Sequence, residues 1–180
     1  MPSNQASFTI KSVGRLREIH TDIGIRPAGE ALTTESIEID DTVMQTRALW
    51  DTGATNCVVT EGTARALGLV PISRVEVAHA GGITLQNVYL VDLFMPNRLV
   101  LQGIGVTECV DSAGNFGVII GMDIITMGDF SISNLNGGTT VSFRMPSQEE
   151  VDFTKPAAPA PTVARRGGSA YTPPKKKRKK

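Results

Sequence analysis

Apolar residues fall along this chain in short runs, broken by glycine and by polar turn residues. Short runs rich in Val, Ile and Thr between such breaks predict strands. Residues 7–12, 18–25 and 31–39 read as strand-like pieces, and residues 42–50 as a strand ending in Ala48-Leu49-Trp50. Residues 75–78 and 83–93 flank His79-Ala80-Gly81-Gly82, the pattern of a hairpin with paired glycines at its tip. The glycines permit positive φ and leave backbone groups unshielded there. Residues 99–106, 118–120, 130–132 and 139–143 complete the series of strands. One segment breaks the pattern: residues 60–68 read as a short helix, with Thr60 placed to cap it and Gly68 to end it. The predicted fold is all-β with one or two short helices.

Composition sharpens this in three ways. The chain has 180 residues, 41% apolar and 20% charged, enough for one compact domain with a core plus tails. Aromatics are only 5%, so Val, Ile, Leu and Met must fill that core. No stretch of 18 apolar residues occurs, so no membrane helix is expected. The N-terminal residues lack the basic and apolar regions of a secretory signal. The two cysteines, Cys57 and Cys109, make no disulfide framework and are expected as free thiols in a reducing compartment. The location expected is cytoplasmic, or nuclear in a eukaryotic host. His20 and His79 stand apart with no ligand set around them, so no metal and no other cofactor is expected, nor Ser–His or Cys–His nucleophilic chemistry.

Candidate chemistry sits where the run Ala48-Leu49-Trp50 meets Asp51-Thr52-Gly53-Ala54. Asp and Gly are ordinary turn residues, and the tripeptide alone is a weak signal. An apolar strand running into Asp-Thr-Gly nonetheless resembles the loop that holds the catalytic carboxylate in aspartic proteases. A second block, Gly117-Val118-Ile119-Ile120-Gly121-Met122-Asp123-Ile124-Ile125, follows about seventy residues downstream.

Together the two blocks resemble the retropepsin-like aspartic proteases, the single-lobe enzymes typified by retroviral proteases, over roughly residues 30 to 146. The resemblance is nearer to stand-alone bacterial or phage-type members than to a retroelement polyprotein. It implies a single-lobe acid-protease barrel, active as a homodimer, in which Asp51 is catalytic. The Thr52 hydroxyl would bond the partner loop, Gly53 would let backbone approach backbone, and Ala54 would keep the cleft floor shallow. Ala80, Gly81 and Gly82 would tip a flap closing over bound peptide, although a plain surface hairpin has the same pattern. Ile120 and Gly121 would support the catalytic loop. The chain departs from the retroviral pattern at Met122, where retroviral members carry Arg, and at Thr55 and Asn56, near the Arg's acidic partner. One Asp-Thr-Gly supplies one carboxylate. The only other candidate, Asp111-Ser112-Ala113-Gly114, lacks Gly after Ser, follows the poor strand Glu108-Cys109-Val110, and reads as a polar turn. The second carboxylate is therefore expected from a second copy. The expected activity is peptide-bond hydrolysis by water held between two Asp51 carboxylates.

The zero net charge conceals a division. Through Asp152 there are nine Lys and Arg against eighteen Asp and Glu, a net of −9, and beyond it nine basic residues and no acid, a net of +9. The expected organisation is an N-terminal extension at residues 1–29, the protease domain at 30–146, and a disordered Pro/Ala-rich linker and basic tail at 153–180. The closing run Lys175, Lys176, Lys177, Arg178, Lys179 and Lys180 fits a nuclear import signal, a weak tether to nucleic acid or another anionic surface, or a plain solvated tail. A reading from another class stays open: a catalytically silent, dimeric peptide-binding module held to nucleic acid by that tail.

Overall fold

The computed structural model describes residues 6–29, 41–79, 81–96, 99–111 and 114–154. The strand-like piece at 31–39, Ala80 of the hairpin tip, and the tail from residue 155 lie outside them. The chain divides into two compact units, Met1–Glu149 and Glu150–Lys180. In order, the first unit carries β1 (Ala6–Ser12), β2 (Ile19–Pro27), β3 (Met44–Trp50), β4 (Val58–Thr60), α1 (Glu61–Ala66), β5 (Ser73–His79), β6 (Gly82–Phe94), β7 (Val100–Cys109), β8 (Val118–Ile120), α2 (Met122–Ile125), β9 (Asp129–Ser133) and β10 (Thr139–Met145). The fold is all-β with two short helices, as the run pattern predicts.

Seven strands form one sheet in the order β2-β3-β8-β4-β7-β6-β5. β2 also pairs with β6, from Gly24↔Phe94 to Pro27↔Val91, and this closes the sheet into a barrel of six strands. Closure removes the free edges that an open sheet would present. β5 stays outside the ring, paired only with β6, so β5 and β6 continue beyond the barrel as a ribbon. The remaining strands form a second sheet, β1-β10-β9. Residues 6–27, expected as pieces of an N-terminal extension, thus supply β1 to one sheet and β2 to the barrel. β2 has partners on both sides, β3 and β6.

The barrel fills with the aliphatic residues its composition requires. Ile23 and Ile25 of β2, Val59 of β4, Val91 and Leu93 of β6, Val106 of β7, and Val118 and Ile120 of β8 are all buried. Four of the nine aromatics gather at one place. Trp50 stacks on Phe130 at 5.3 Å between ring centroids, with Phe143 at 5.1 Å and Phe8 at 5.7 Å. The Trp50 indole N–H donates to the buried Thr21 hydroxyl at 3.0 Å. This cluster joins the three-stranded sheet to the end of β3, and the next residue is Asp51.

A bulge between Val91 and Leu93 turns Asp92 into the interior at 1% exposure. Its charge is answered locally: Arg26 donates to Oδ2 through Nε at 3.1 Å and Nη2 at 3.0 Å, and the Gly103 amide donates to Oδ1 at 3.0 Å. The Arg26 guanidinium also lies over Phe94, 5.4 Å from the ring centre.

Candidate active site

β3 and β8 run side by side in parallel, pairing Ala48↔Val118, Leu49↔Ile119 and Trp50↔Ile120. β8 is also antiparallel to β4 through Val58↔Ile119 and Val59↔Val118. The chain therefore leaves β3, makes the loop 51–57, and returns in β4, while β8 from sixty residues downstream fills the slot between them. Asp51 stands at the mouth of this crossover. Its amide donates to the Ile120 carbonyl at 3.0 Å, which extends the β3–β8 ladder by one bond.

The loop closes on itself next. Asp51 Oδ1 accepts the Gly53 amide at 2.8 Å, and the Asp51 carbonyl accepts the Ala54 amide at 3.2 Å. A Cβ on Gly53 would stand 3.1 Å from Asp51 Oδ1, so a larger residue would crowd the carboxylate. Asp51 and Ala54 are half-buried, and Thr52 and Gly53 are exposed. Among the described residues the Thr52 hydroxyl has no hydrogen-bond partner within the chain.

Gly121 makes the crossover possible. A Cβ there would lie 2.5 Å from the Asn56 carbonyl carbon, 2.6 Å from its oxygen and 3.0 Å from the Ala54 oxygen. Only a residue without a side chain lets these two backbones touch. Beyond it, the Met122 amide donates to Ala54 O at 2.8 Å and the Asp123 amide to Thr55 O at 3.1 Å. Ile120 and Gly121 thus stand against the loop.

Two contributors escape sequence reasoning. The Asp123 carboxylate turns back onto the loop: Oδ2 accepts the Cys57 amide at 2.9 Å, and Oδ1 accepts the Cys57 thiol at 3.1 Å and the Ile124 amide at 2.9 Å. The Cys57 sulfur in turn accepts the Gly121 amide at 3.4 Å. Burial, with the nearby Asp123 carboxylate adding to it, pushes the Cys57 thiol well above its ordinary range and keeps it a donor. A motif scan for Asp-Thr-Gly passes over both residues, since neither belongs to the tripeptide. The signal lay in what was missing: with Met122 in place of Arg, something else must tie the loop to α2.

Asp111 lies elsewhere and has another task. Its Oδ1 accepts the Gly62 amide at 2.9 Å in the first turn of α1. Glu108 and Cys109, which looked too polar for a strand, are the last residues of β7 and pair with β4 through Val59↔Glu108 and Thr60↔Cys109. Thr60 caps α1 by accepting the Thr63 amide at 3.3 Å, as predicted, and Gly68 takes φ 60 just after the helix.

The hairpin around residue 80 is the β5–β6 ribbon. Its last pair is His79↔Gly82, and Gly82 has φ 121. Both faces of the ribbon carry exposed apolar side chains: Val75 on one, Ile83 and Leu85 on the other, the latter two 71% and 63% exposed. Among the described residues no group of three His, Cys, Asp or Glu side chains could hold a metal ion. No helix there is long and apolar enough to cross a membrane.

Fold and site together define a single-lobe all-β protein that presents one aspartate at a strand crossover. Neither protein-family models nor curated protein sequences give a match. The solved structures similar to the chain include two proteases or protease-like domains. One is a retropepsin-like aspartic protease from Rickettsia conorii, 13% identical over 78% of this chain and 95% of its own, with a TM-score of 0.47. The other is the retroviral protease-like domain of Ddi1 from Leishmania major, 15% identical over 61% of this chain and 78% of its own, with a TM-score of 0.37.

Proposed function

We propose that this chain is an aspartic endopeptidase of the retropepsin-like kind, assembled from two copies that each contribute Asp51. The observation that carries the proposal is the Asp51 loop itself. It is a loop at the mouth of a strand crossover, closed by its own hydrogen bonds, with Asp51 half-buried and no second carboxylate bonded to it among the described residues. Asp111 is committed to α1 and Asp123 to Cys57, so a pair of carboxylates requires a second Asp51. The exposed Thr52 hydroxyl and Gly53 suit a contact with the equivalent loop across a two-fold axis.

In such a pair the two carboxylates share one proton, because like charges about 3 Å apart cannot both ionise. The ionised one takes a proton from the bound water as its oxygen attacks the peptide carbonyl carbon. The protonated one gives its proton to the carbonyl oxygen. Collapse of the tetrahedral adduct returns that proton to a carboxylate, breaks the C–N bond, and sends a proton to the amine nitrogen. The ribbon tipped by Gly81 and Gly82 is suited to cover the peptide, with apolar side chains on either face to meet it.

The test is peptide hydrolysis by the purified chain and by Asp51→Asn. The variant should lose about three orders of magnitude or more in kcat. Mixing one part wild type with four parts Asp51→Asn should cut activity per wild-type chain to about one fifth, since about four in five wild-type chains then pair with a variant chain. Full activity in Asp51→Asn would reject the assignment. Activity unaffected by mixing would reject the shared site.

A further inference from the structure

The loop that presents Asp51 must hold its carboxylate within a fraction of an ångström of a productive position. Its first half is fixed by two bonds of its own, Gly53 to Asp51 Oδ1 and Ala54 to Asp51 O, and by the Asp51 amide on Ile120 O. Its second half, Thr55 to Cys57, has no turn of its own. What holds it is the start of α2. Met122 and Asp123 donate amides to Ala54 O and Thr55 O, and the Asp123 carboxylate receives both the amide and the thiol of Cys57. The sulfur also accepts the Gly121 amide, so it is wedged between the two sides as donor and acceptor at once.

The geometry points to Asp123 as a positioning residue for Asp51, acting through the buried Cys57 thiol and amide as a clamp that fixes the loop against α2. Asp123 does not touch the reacting atoms. Its carboxylate faces inward, to Cys57 and Ile124, and leaves the cleft to Asp51. The chain's departure from the retroviral pattern then has a structural counterpart. Met122 is a half-buried apolar side chain packed against the core in place of a cation, and the loop is attached here through a carboxylate, a thiol and backbone amides. Cys57 is 0% exposed, so the thiol itself is shielded from solvent while Asp123 is half-buried.

This assignment rests on Asp51 being the catalytic carboxylate, and the experiment separates the two. Asp123→Ala should lower kcat about 100-fold, the effect of a displacement near 1 Å at a reacting group, while KM stays within about threefold. Native-state hydrogen exchange supplies a readout that needs no activity. In Asp123→Ala the amides of Ala54 and Met122 should exchange at least about tenfold faster, while those of Val91 and Val106 in the barrel wall keep their protection. Asp123→Asn should recover most of kcat, since its oxygen can accept the Cys57 amide while its NH2 donates to the sulfur. Cys57→Val, which keeps the bulk and loses the thiol, should fall between Asn and Ala. Unchanged exchange at Ala54 and Met122 in Asp123→Ala overturns the clamp, whether or not the wild type cleaves peptides. Should Asp123→Ala not fold, the other two decide, and Cys57→Val equal to wild type in both exchange and kcat overturns it. A wild-type chain without peptidase activity, together with accelerated exchange in Asp123→Ala, leaves the clamp standing and rejects the endopeptidase.

Discussion

Replacing Gly121 with Ala places one methyl group where two backbones touch. The added carbon would stand 2.5 Å from the Asn56 carbonyl carbon and 2.6 Å from its oxygen, both backbone atoms that no rotamer change can move aside. Either the loop 51–57 or the β8–α2 junction must give way by about an ångström, or the Met122 and Asp51 ladder bonds must stretch. Overpacking of this kind costs about 1–3 kcal/mol, and more where backbone must move. For a unit of this size 1 kcal/mol lowers Tm by about 2–4 °C, so a loss of about 3 kcal/mol should lower it by about 6–12 °C. Thermal melts followed by circular dichroism would read this directly. Two comparisons make the result specific. Gly14→Ala meets nothing within 4 Å and should melt within a degree or two of the wild type. Gly128→Ala would drive its methyl into the Arg144 carbonyl oxygen, and should lose stability without losing kcat per folded molecule. Gly121→Ala alone should lose both, because the strain is released into the Asp51 loop. A Gly121→Ala chain with wild-type Tm and wild-type kcat would refute the crossover as the site's support.

Other perturbations test other parts of the molecule. Arg26→Met should destabilise by about 3 kcal/mol in urea titration, because it leaves Asp92 buried with the Gly103 amide as its remaining partner. Asp129 is held well below the usual carboxylate range, first by the Ser147 hydroxyl, then by the Gln148 amide and Arg144. A depressed folded-state pKa adds stability above the unfolded value of about 3.9, and that stability is lost as pH falls through the folded value. Asp129→Asn should therefore melt below the wild type at pH 7, and the two melting curves should converge from about pH 4 downward. Deleting residues 155–180 removes nine basic residues and should leave hydrolysis of short peptides within about twofold of the full chain. Any binding of the full chain to single-stranded DNA should weaken steeply with salt and vanish on deletion.

Element type was readable almost throughout, because strand-forming runs and turn glycines are local signals. Thr60 and Gly68 bounded a helix on capping chemistry alone, and Asp51 stood out because a tripeptide and a strand end coincide. The misses share a cause: they depend on partners distant in sequence. β4 is three residues long and exists because β8 and β7 lie on either side of it. Glu108 looks wrong for a strand until Tyr89 donates to it at 2.8 Å and Asn87 at 2.7 Å across β6. Nothing in residues 1–29 announces that β10, β3 and β6 will pair with β1 and β2. Asp123 reads as a helix-start acid from its neighbours, and only the fold brings it to Cys57.

The strand that fills the slot between β3 and β4 is also the one synthesised late. When Thr60 has left the ribosome, β3, the Asp51 loop and β4 are all present, yet residues 118–120 are not. Until they arrive, β3 lacks a neighbour on that side, the Asp51 amide has no acceptor, and Gly121 is absent from the crossing. Contacts of such sequence separation close slowly, after local structure has formed. A nascent chain, or one truncated before residue 118, therefore holds the Asp-Thr-Gly signature without a site. The strand order therefore delays completion of the Asp51 loop until residues 118–121 have been made and have taken their place beside it.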